Sequence, residues 1–377
     1  MKYRFSVLIT VLGLATFTSV SLAQVNVGGQ LDIVMKNSGS EDHTNLTFRN
    51  FSNFHTSRAR LFFDAAPAEN VELFTQILVD DNTFQLYGAY LRLNAIGGSP
   101  LNAQMGIIPL PVGSWGPRTY ADVNPLIGTP LAYNLHSTLV PGGDPIRTVD
   151  ELLASRDSRS HLGLPPIYDA CWNTGLEIYG RSGKLNYSVG FLSGSVSKPT
   201  VEQTKDAPQV TTHLTYEITP RLTFGGSAFY GPYLMEGAYN DTLPEGAKFN
   251  DFINAGVGYE LHLTGRYVEF YSEAFYAYWE HPYLPKLEVY SGYVEGKYKF
   301  TPGWFVAGRY GFYEPGKLTD SGGAEQNWDY PVRRIEAGIG YHPNRATVMK
   351  FVIQHNDFDF TDALDSDLYA LQTSVSF

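Results

Sequence analysis

Apolar and polar residues alternate one by one along most of this chain. Val25, Val27, Gly29, Leu31, Ile33 and Met35 fall on one face of an extended segment, and Asn26, Gly28, Gln30, Asp32 and Lys36 on the other. Val71, Leu73, Thr75, Ile77 and Val79 alternate in the same way with Glu72, Gln76 and Asp80. Val210, Thr212, Leu214, Tyr216 and Ile218 alternate with Thr211, His213, Thr215 and Glu217. Ile253, Ala255, Val257, Tyr259, Leu261 and Leu263 alternate with Asn254, Gly256, Gly258, Glu260 and His262. Strand side chains point to opposite faces in turn, so a period of two over about ten residues predicts strands with one apolar and one polar face. Sixteen such segments are predicted, near 24–36, 54–66, 70–80, 84–95, 100–108, 170–181, 184–194, 207–219, 221–231, 250–264, 266–279, 286–300, 303–314, 331–342, 345–357 and 367–377.

The links between these segments alternate too. Tight turns at 67–69, 96–99, 182–183, 220, 265, 301–302 and 343–344 take turns with mostly longer connections at 37–53, 81–83, 109–169, 195–206, 232–249, 280–285, 315–330 and 358–366. Short turns at one end and longer loops at the other are the pattern of a transmembrane barrel. A soluble sheet would have to hide sixteen apolar faces while the opposite faces are too polar for a second core. A closed barrel in lipid meets both demands, because closure leaves no unpaired backbone edge. The expected fold is all-β: one transmembrane antiparallel β-barrel of about 16 strands, with a long loop after strand five and both termini on the short-turn side.

Composition agrees with strands. Charged residues are 17% of the 377, aromatic residues 14%, with 26 Tyr and 23 Phe, and aromatic side chains suit a pleated surface. The net charge of -11 argues against a nucleic-acid partner, which needs clustered cations, and against a polybasic membrane anchor. Lys2 and Arg4, the apolar stretch 6–20 and Ser21-Leu22-Ala23 read as a signal peptide over 1–23, leaving a barrel over 24–377. Cys171 is the lone cysteine, so no intramolecular disulfide and no cysteine zinc site can form, and it reads as a small buried or lipid-facing residue.

Further features carry a resemblance: the signal segment; the last strand, with Tyr369, Leu371, Thr373, Val375 and Phe377 on one face; and the longest connection after the fifth strand. With them the chain resembles sixteen-stranded Gram-negative outer-membrane porins. Ser57-Arg-Ala-Arg-Leu-Phe-Phe-Asp64 and Met105-Gly-Ile-Ile-Pro-Leu-Pro-Val112 look like the phosphate-selective porin O/P-type subgroup. The resemblance implies passive diffusion of small hydrophilic solutes and ions, an inward-folded constriction made by the loop 109–169, and a homotrimer in the outer membrane.

If the apolar face meets lipid, the polar face lines the pore. Arg58, Arg60, Arg92, Arg309, Arg334 and Lys350 are then the basic lining, and Asp64, Glu260, Glu269, Glu273 and Glu295 the acidic lining, with Lys297 and Lys299 diluting the acids. Because the first and last strands of a barrel are neighbours, the cations are expected in one arc facing the acids, with a transverse field between them. The long loop also holds Arg156, Asp157, Arg159 and His161, and its constriction candidates are Arg118, Asp122, Asp144, Arg147, Asp150 and Glu151. Within it, 148–158 can form a short helix, with Thr148 as cap and Glu151 three residues on. Tyr276, Tyr278, Trp279, Tyr283 and Tyr298 read as interface girdles, and Tyr90, Tyr271 and Tyr293 as inward aromatics.

Neither Gly-x-Ser-x-Gly nor His-Glu-x-x-His occurs, so no enzyme is expected. No cofactor is expected either. The aspartates at 357, 359, 362, 365 and 367 match no calcium loop and read as a solvated loop. The alternatives are a non-conducting barrel acting as scaffold or adhesin, and a barrel enzyme.

Overall fold

The computed structural model describes residues 25–38, 54–80, 83–159, 162–168, 171–199, 207–359 and 364–377. The expected signal peptide, His161 and the aspartate at 362 lie outside them.

Sixteen antiparallel strands close into one barrel. They are β1 (Val25–Ser38), β2 (Phe54–Ala68), β3 (Val71–Asp80), β4 (Thr83–Leu93), β5 (Leu101–Pro109), β6 (Trp172–Ser182), β7 (Leu185–Leu192) and β8 (Gln209–Thr219). They continue as β9 (Leu222–Pro232), β10 (Ile253–Thr264), β11 (Val268–Trp279), β12 (Leu287–Thr301) and β13 (Trp304–Pro315). The last three are β14 (Val332–Asn344), β15 (Thr347–Phe358) and β16 (Ser366–Ser376). β1 pairs with β16 in the register Asp32 opposite Ser374, which closes the ring. All sixteen predicted segments are present, with ends displaced by at most three residues. A short ribbon, Lys317–Thr319 with Glu325–Asn327, stands apart in the β13–β14 connection.

Polarity is inverted relative to a soluble protein. Val25, Val27, Leu31 and Met35 of β1 are exposed on the outer face, while Gln30, Asp32 and Lys36 are buried inside. In β10, Val257 and Tyr259 face out, and Asn254 and Glu260 are buried inside. No helix among the described residues is long and apolar enough to cross a membrane. The tight turns bring their own chemistry: Gly183 (φ +60°) and Gly303 (φ +80°) adopt left-handed conformations that other residues enter only with strain.

The apolar core lies inside the ring, on the side of the longer connections. Phe275, Ala277, Trp279, Leu287, Val289, Tyr313, Val332 and Phe358 project from the inner wall onto Trp115, Leu131, Tyr133, Leu152 and Ile167 of the β5–β6 connection. That connection carries three short helices, α1 (Leu131–Asn134), α2 (Val149–Ala154) and α3 (Arg156–Arg159). α2 starts at the expected cap: Thr148 Oγ1 accepts from Glu151 N, and the Glu151 carboxylate accepts from Thr148 N. Cys171 is buried. Trp279 corrects the girdle expectation. It shares the inner parity of Glu273, Phe275 and Ala277, is fully buried, and donates its indole N–H to Ser197. Tyr283 lies in the β11–β12 connection under Arg147. Tyr290 and Tyr298 are exposed on the outer face.

Candidate functional site: the lumen and its crossing loop

The β5–β6 connection is not a surface loop. Leaving β5, it runs along the inner wall: Gly113 N donates to Ser227 Oγ on β9 (2.9 Å) and Ser114 N to Glu273 on β11 (2.7 Å). Arg118 then donates to Tyr293 (3.1 Å) and to Glu295, both on β12, and its guanidinium lies 3.6 Å over the Tyr271 ring. Two residues later, Tyr120 donates to Gln76 on β3 (2.8 Å) and meets Phe62 and Arg60 on β2. Around the ring, β3 and β12 are seven strands apart, one short of diametrically opposite. Residues 118–120 therefore form a strut across the lumen.

Beyond the strut, three cations from adjacent strands hold the loop by its main chain. Lys350 Nζ on β15 donates to the carbonyls of Ala121 (2.8 Å), Asn124 (2.9 Å) and Leu126 (2.9 Å). Arg309 on β13 donates to Gly128 O (2.8 Å) and Asn124 Oδ1 (3.1 Å), and Arg334 on β14 to Thr129 O (2.8 Å). Gln30 on β1 donates to Asp122 (2.9 Å). Charged donors form the stronger hydrogen bonds, so this clamp fixes 121–129 against the wall.

The predicted lining residues all occupy inward positions, but the two-arc picture needs correcting. Arg60 pairs with Asp32 (3.2 Å), Arg58 with Asp80 (3.3 Å) and Arg92 with Glu72 (3.1 Å). Arg309 pairs with Glu295 (2.6 Å), its register partner, and with Glu336 (2.9 Å). The supposed cationic arc thus contains four acids that alternation placed inside but charge counting overlooked. Burying a guanidinium without a partner is costly, so the wall supplies carboxylates next to Arg58, Arg60, Arg92 and Arg309, whereas Arg334 donates to Asn356 Oδ1 (2.7 Å). Arg309, Arg334, Lys350, Glu273 and Glu295 are all at most 2% exposed, under the loop rather than in open water. Asp64 is exposed at the short-turn rim, where Glu269 pairs with Lys297 (3.5 Å) and Lys299 (2.6 Å).

Among the described loop candidates, Arg118 and Asp122 reach across the lumen to the strand wall. Asp144 accepts from Asn240 (3.2 Å) and Asp150 from Ser321 N (3.0 Å). Arg147 packs on Tyr283, and Glu151 caps α2. Arg156 donates to Asn327 O (3.0 Å), and Asp157 accepts from Tyr330. These residues tie the loop to neighbouring connections as a lid. Asp329 anchors that lid, accepting from Thr138 N (3.0 Å), Thr138 Oγ1 (2.7 Å), Tyr313 (3.2 Å) and Tyr330 N (2.9 Å), while burial pushes its carboxyl above the usual range. In the β11–β12 connection, His281 Nδ1 accepts from Tyr283 N (3.1 Å) and Leu284 N (3.2 Å), and burial pushes its pKa down to about 4.

The predicted lining omitted Tyr120, Gln76 and the four acids Asp32, Glu72, Asp80 and Glu336. Alternation could have flagged all but Tyr120, whose role depends on where the loop crosses. Among the described residues no group of three His, Cys, Asp or Glu is placed to hold a metal ion. Two aspartates of the acidic tract are engaged locally: Asp365 accepts from Phe358 N (2.8 Å), and Asp367 pairs with His355 (2.7 Å).

No protein-family model matches the chain, and no curated protein sequence does. Solved structures do. The outer membrane channel DcaP of Acinetobacter baumannii superposes with TM-score 0.59 at 15% identity, over 97% of this chain and 100% of that one. The anion-selective porin from Comamonas acidovorans gives 0.59 at 9%, over 94% and 100%. The trimer form of OmpT, an outer membrane protein of Vibrio cholerae, gives 0.59 at 11%, over 94% and 99%. At such identities the likeness is one of fold.

Proposed function

We propose that the protein is an outer-membrane channel through which small hydrophilic solutes and ions diffuse passively. The observation that carries this reading is a charged strut, Arg118 to Tyr120, crossing a lumen walled by polar side chains. The exposed apolar outer face of a closed ring suits hydrocarbon, which tolerates no unpaired backbone edge. The fold likeness to DcaP and to the anion-selective porin supports the channel role. The trimeric OmpT structure supports assembly as a homotrimer. The two stretches at 57–64 and 105–112 are what favour kinship with the phosphate-selective subgroup. No covalent chemistry is required: pore width and lining charge determine rate and selectivity.

The test is conductance of the purified protein in a planar lipid bilayer, with the reversal potential under a salt gradient. Stable conductance is expected. A folded but electrically silent barrel would overturn the channel reading. It would favour a non-conducting scaffold or adhesin, or a barrel enzyme. The scaffold reading draws its support from the apolar core that fills the long-connection side of the lumen.

A further inference from the structure

A cavity of about 680 Å³ opens at the short-turn rim, between the β10–β11 turn and the β12–β13 hairpin. Arg266, Tyr267, Lys297, Lys299, Phe305 and His342 are among the residues that line it. Register sets the direction of this wall. Lys350, Gly340, Phe305 and Lys299 are successive cross-strand partners from β15 to β12, so Phe305 and Lys299 share the inward face of Lys350. Phe305 is 2% exposed and backs the cavity. Its ring can lie against β14 only because its partner there is glycine: a Cβ on Gly340 would come within 2.1 Å of it. Lys297 Nζ stands 4.8 Å from the centre of that ring, and the His342 ring 5.7 Å from it.

The charge around this cavity is one-sided. Glu269 pairs with Lys297 (3.5 Å) and Lys299 (2.6 Å), and among the described residues it is the one carboxylate paired with any of the three cations. Arg266 lies over the Tyr267 ring (5.0 Å) and forms no ion pair among the described residues. In a chain of net charge -11, a surplus of cations around one cavity is a local arrangement that composition does not supply. Sites for small molecules are concave and mostly apolar, with a few placed polar groups. A guanidinium and an ammonium hold a carboxylate through charge-assisted hydrogen bonds, and the planar fork of the guanidinium matches its two oxygens. Tyr267 is 51% exposed, so an apolar group on the same solute can cover its ring and take that surface out of water. A hydrated inorganic anion gains from the cations alone, and an uncharged apolar molecule from the ring alone.

We infer that this vestibule binds small organic carboxylates. Arg266 and Lys299 take the carboxylate, and Tyr267 takes the apolar group, as the solute passes the short-turn mouth. This rests on the channel reading and gives it a solute class.

The probe is benzoate, titrated calorimetrically into the intact barrel in non-ionic detergent, with benzamide as the uncharged control. Saturable binding of benzoate alone is expected. R266Q/K299Q, which leaves Lys297 to pair with Glu269, should bind at least tenfold more weakly. K184Q, in the β6–β7 turn across the rim, should bind as the parent does. In the unaltered protein, acetate and inorganic phosphate, which lack the apolar group, should displace benzoate only at concentrations at least tenfold higher than benzoate's own. No saturable binding by the parent, equal binding by parent and R266Q/K299Q, an equal loss in K184Q, or binding of benzamide, acetate or phosphate as tight as that of benzoate would each overturn the site. Conductance is measured separately. A silent barrel that still binds benzoate defeats the channel reading and leaves the site standing, and a conducting barrel that does not bind it defeats the site alone.

Discussion

A single ammonium, Lys350, holds three main-chain carbonyls of a loop that belongs to a distant part of the sequence. Lys350→Met leaves those carbonyls buried without a donor, a loss on the order of 3 kcal/mol. Urea unfolding of the reconstituted barrel should show this loss, and single-channel recordings should become noisier as residues 121–126 come loose. An unchanged unfolding midpoint would mean the clamp is dispensable. Gly113 is a second single-residue constraint. Its φ of +69° is left-handed, and an added Cβ would overlap the Tyr133 hydroxyl and the Glu273 carboxylate. His281 gives a pH dependence whose sign can be worked out. Its folded pKa of about 4 lies below the ordinary value of about 6.5. The unfolded connection therefore takes up a proton first, and stability present above about 6.5 is lost as pH falls toward 4. The loss amounts to about 3 kcal/mol at most. Amide exchange at Tyr283 and Leu284, corrected for its intrinsic pH dependence, should rise across that window. It should stay flat in His281→Ala, where the same two amides have already lost their acceptor.

At the scale of the element, the strut and the clamp divide the labour within one connection. The clamp seats residues 121–129 on the wall, whereas the strut links β12 to β3. Arg118 can be removed without stranding Glu295, because Arg309 still pairs with it. The double variant R118A/Y120A should therefore keep its strand content while its single-channel conductance rises by roughly half or more, as pore width governs flux. Equal conductance in parent and variant would show that solutes pass elsewhere. The strands and the α2 cap were legible from sequence because each is a local pattern: parity for the strands, and Thr148 with Glu151 for the cap. The strut was not. Nothing local marks Tyr120 as the partner of Gln76, 44 residues away, and hydrogen bonds from Lys350 to main-chain carbonyls leave no trace in the side chains of the loop. Trp279 shows the same limit. An aromatic residue near a strand end suits an interface, and only its parity with Glu273 and Phe275 says that it points inward.

For the whole molecule, the alternation of short and long connections sets a direction as well as a strand count. With sixteen strands the start of β1 and the end of β16 share a rim, and Gly29 and Phe377 exchange main-chain hydrogen bonds there (3.0 Å each). The tight turns at 183–184, 220–221 and 302–303 belong to that same rim, and the 233–252 connection and the lid around Asp329 to the opposite one. Outer-membrane barrels place short turns toward the periplasm and longer loops outside the cell. The native thiol, Cys171, is buried, so an added cysteine can report orientation over little background. Glu245 in the long connection and Lys184 in a tight turn are both exposed. In intact cells a membrane-impermeant maleimide should label Glu245→Cys and spare Lys184→Cys, and after the outer membrane is opened it should label both. The reverse pattern would invert the barrel. Permeating solutes would then meet the short-turn rim first, before the lid and the strut, and the order of barriers along the pore would run the other way.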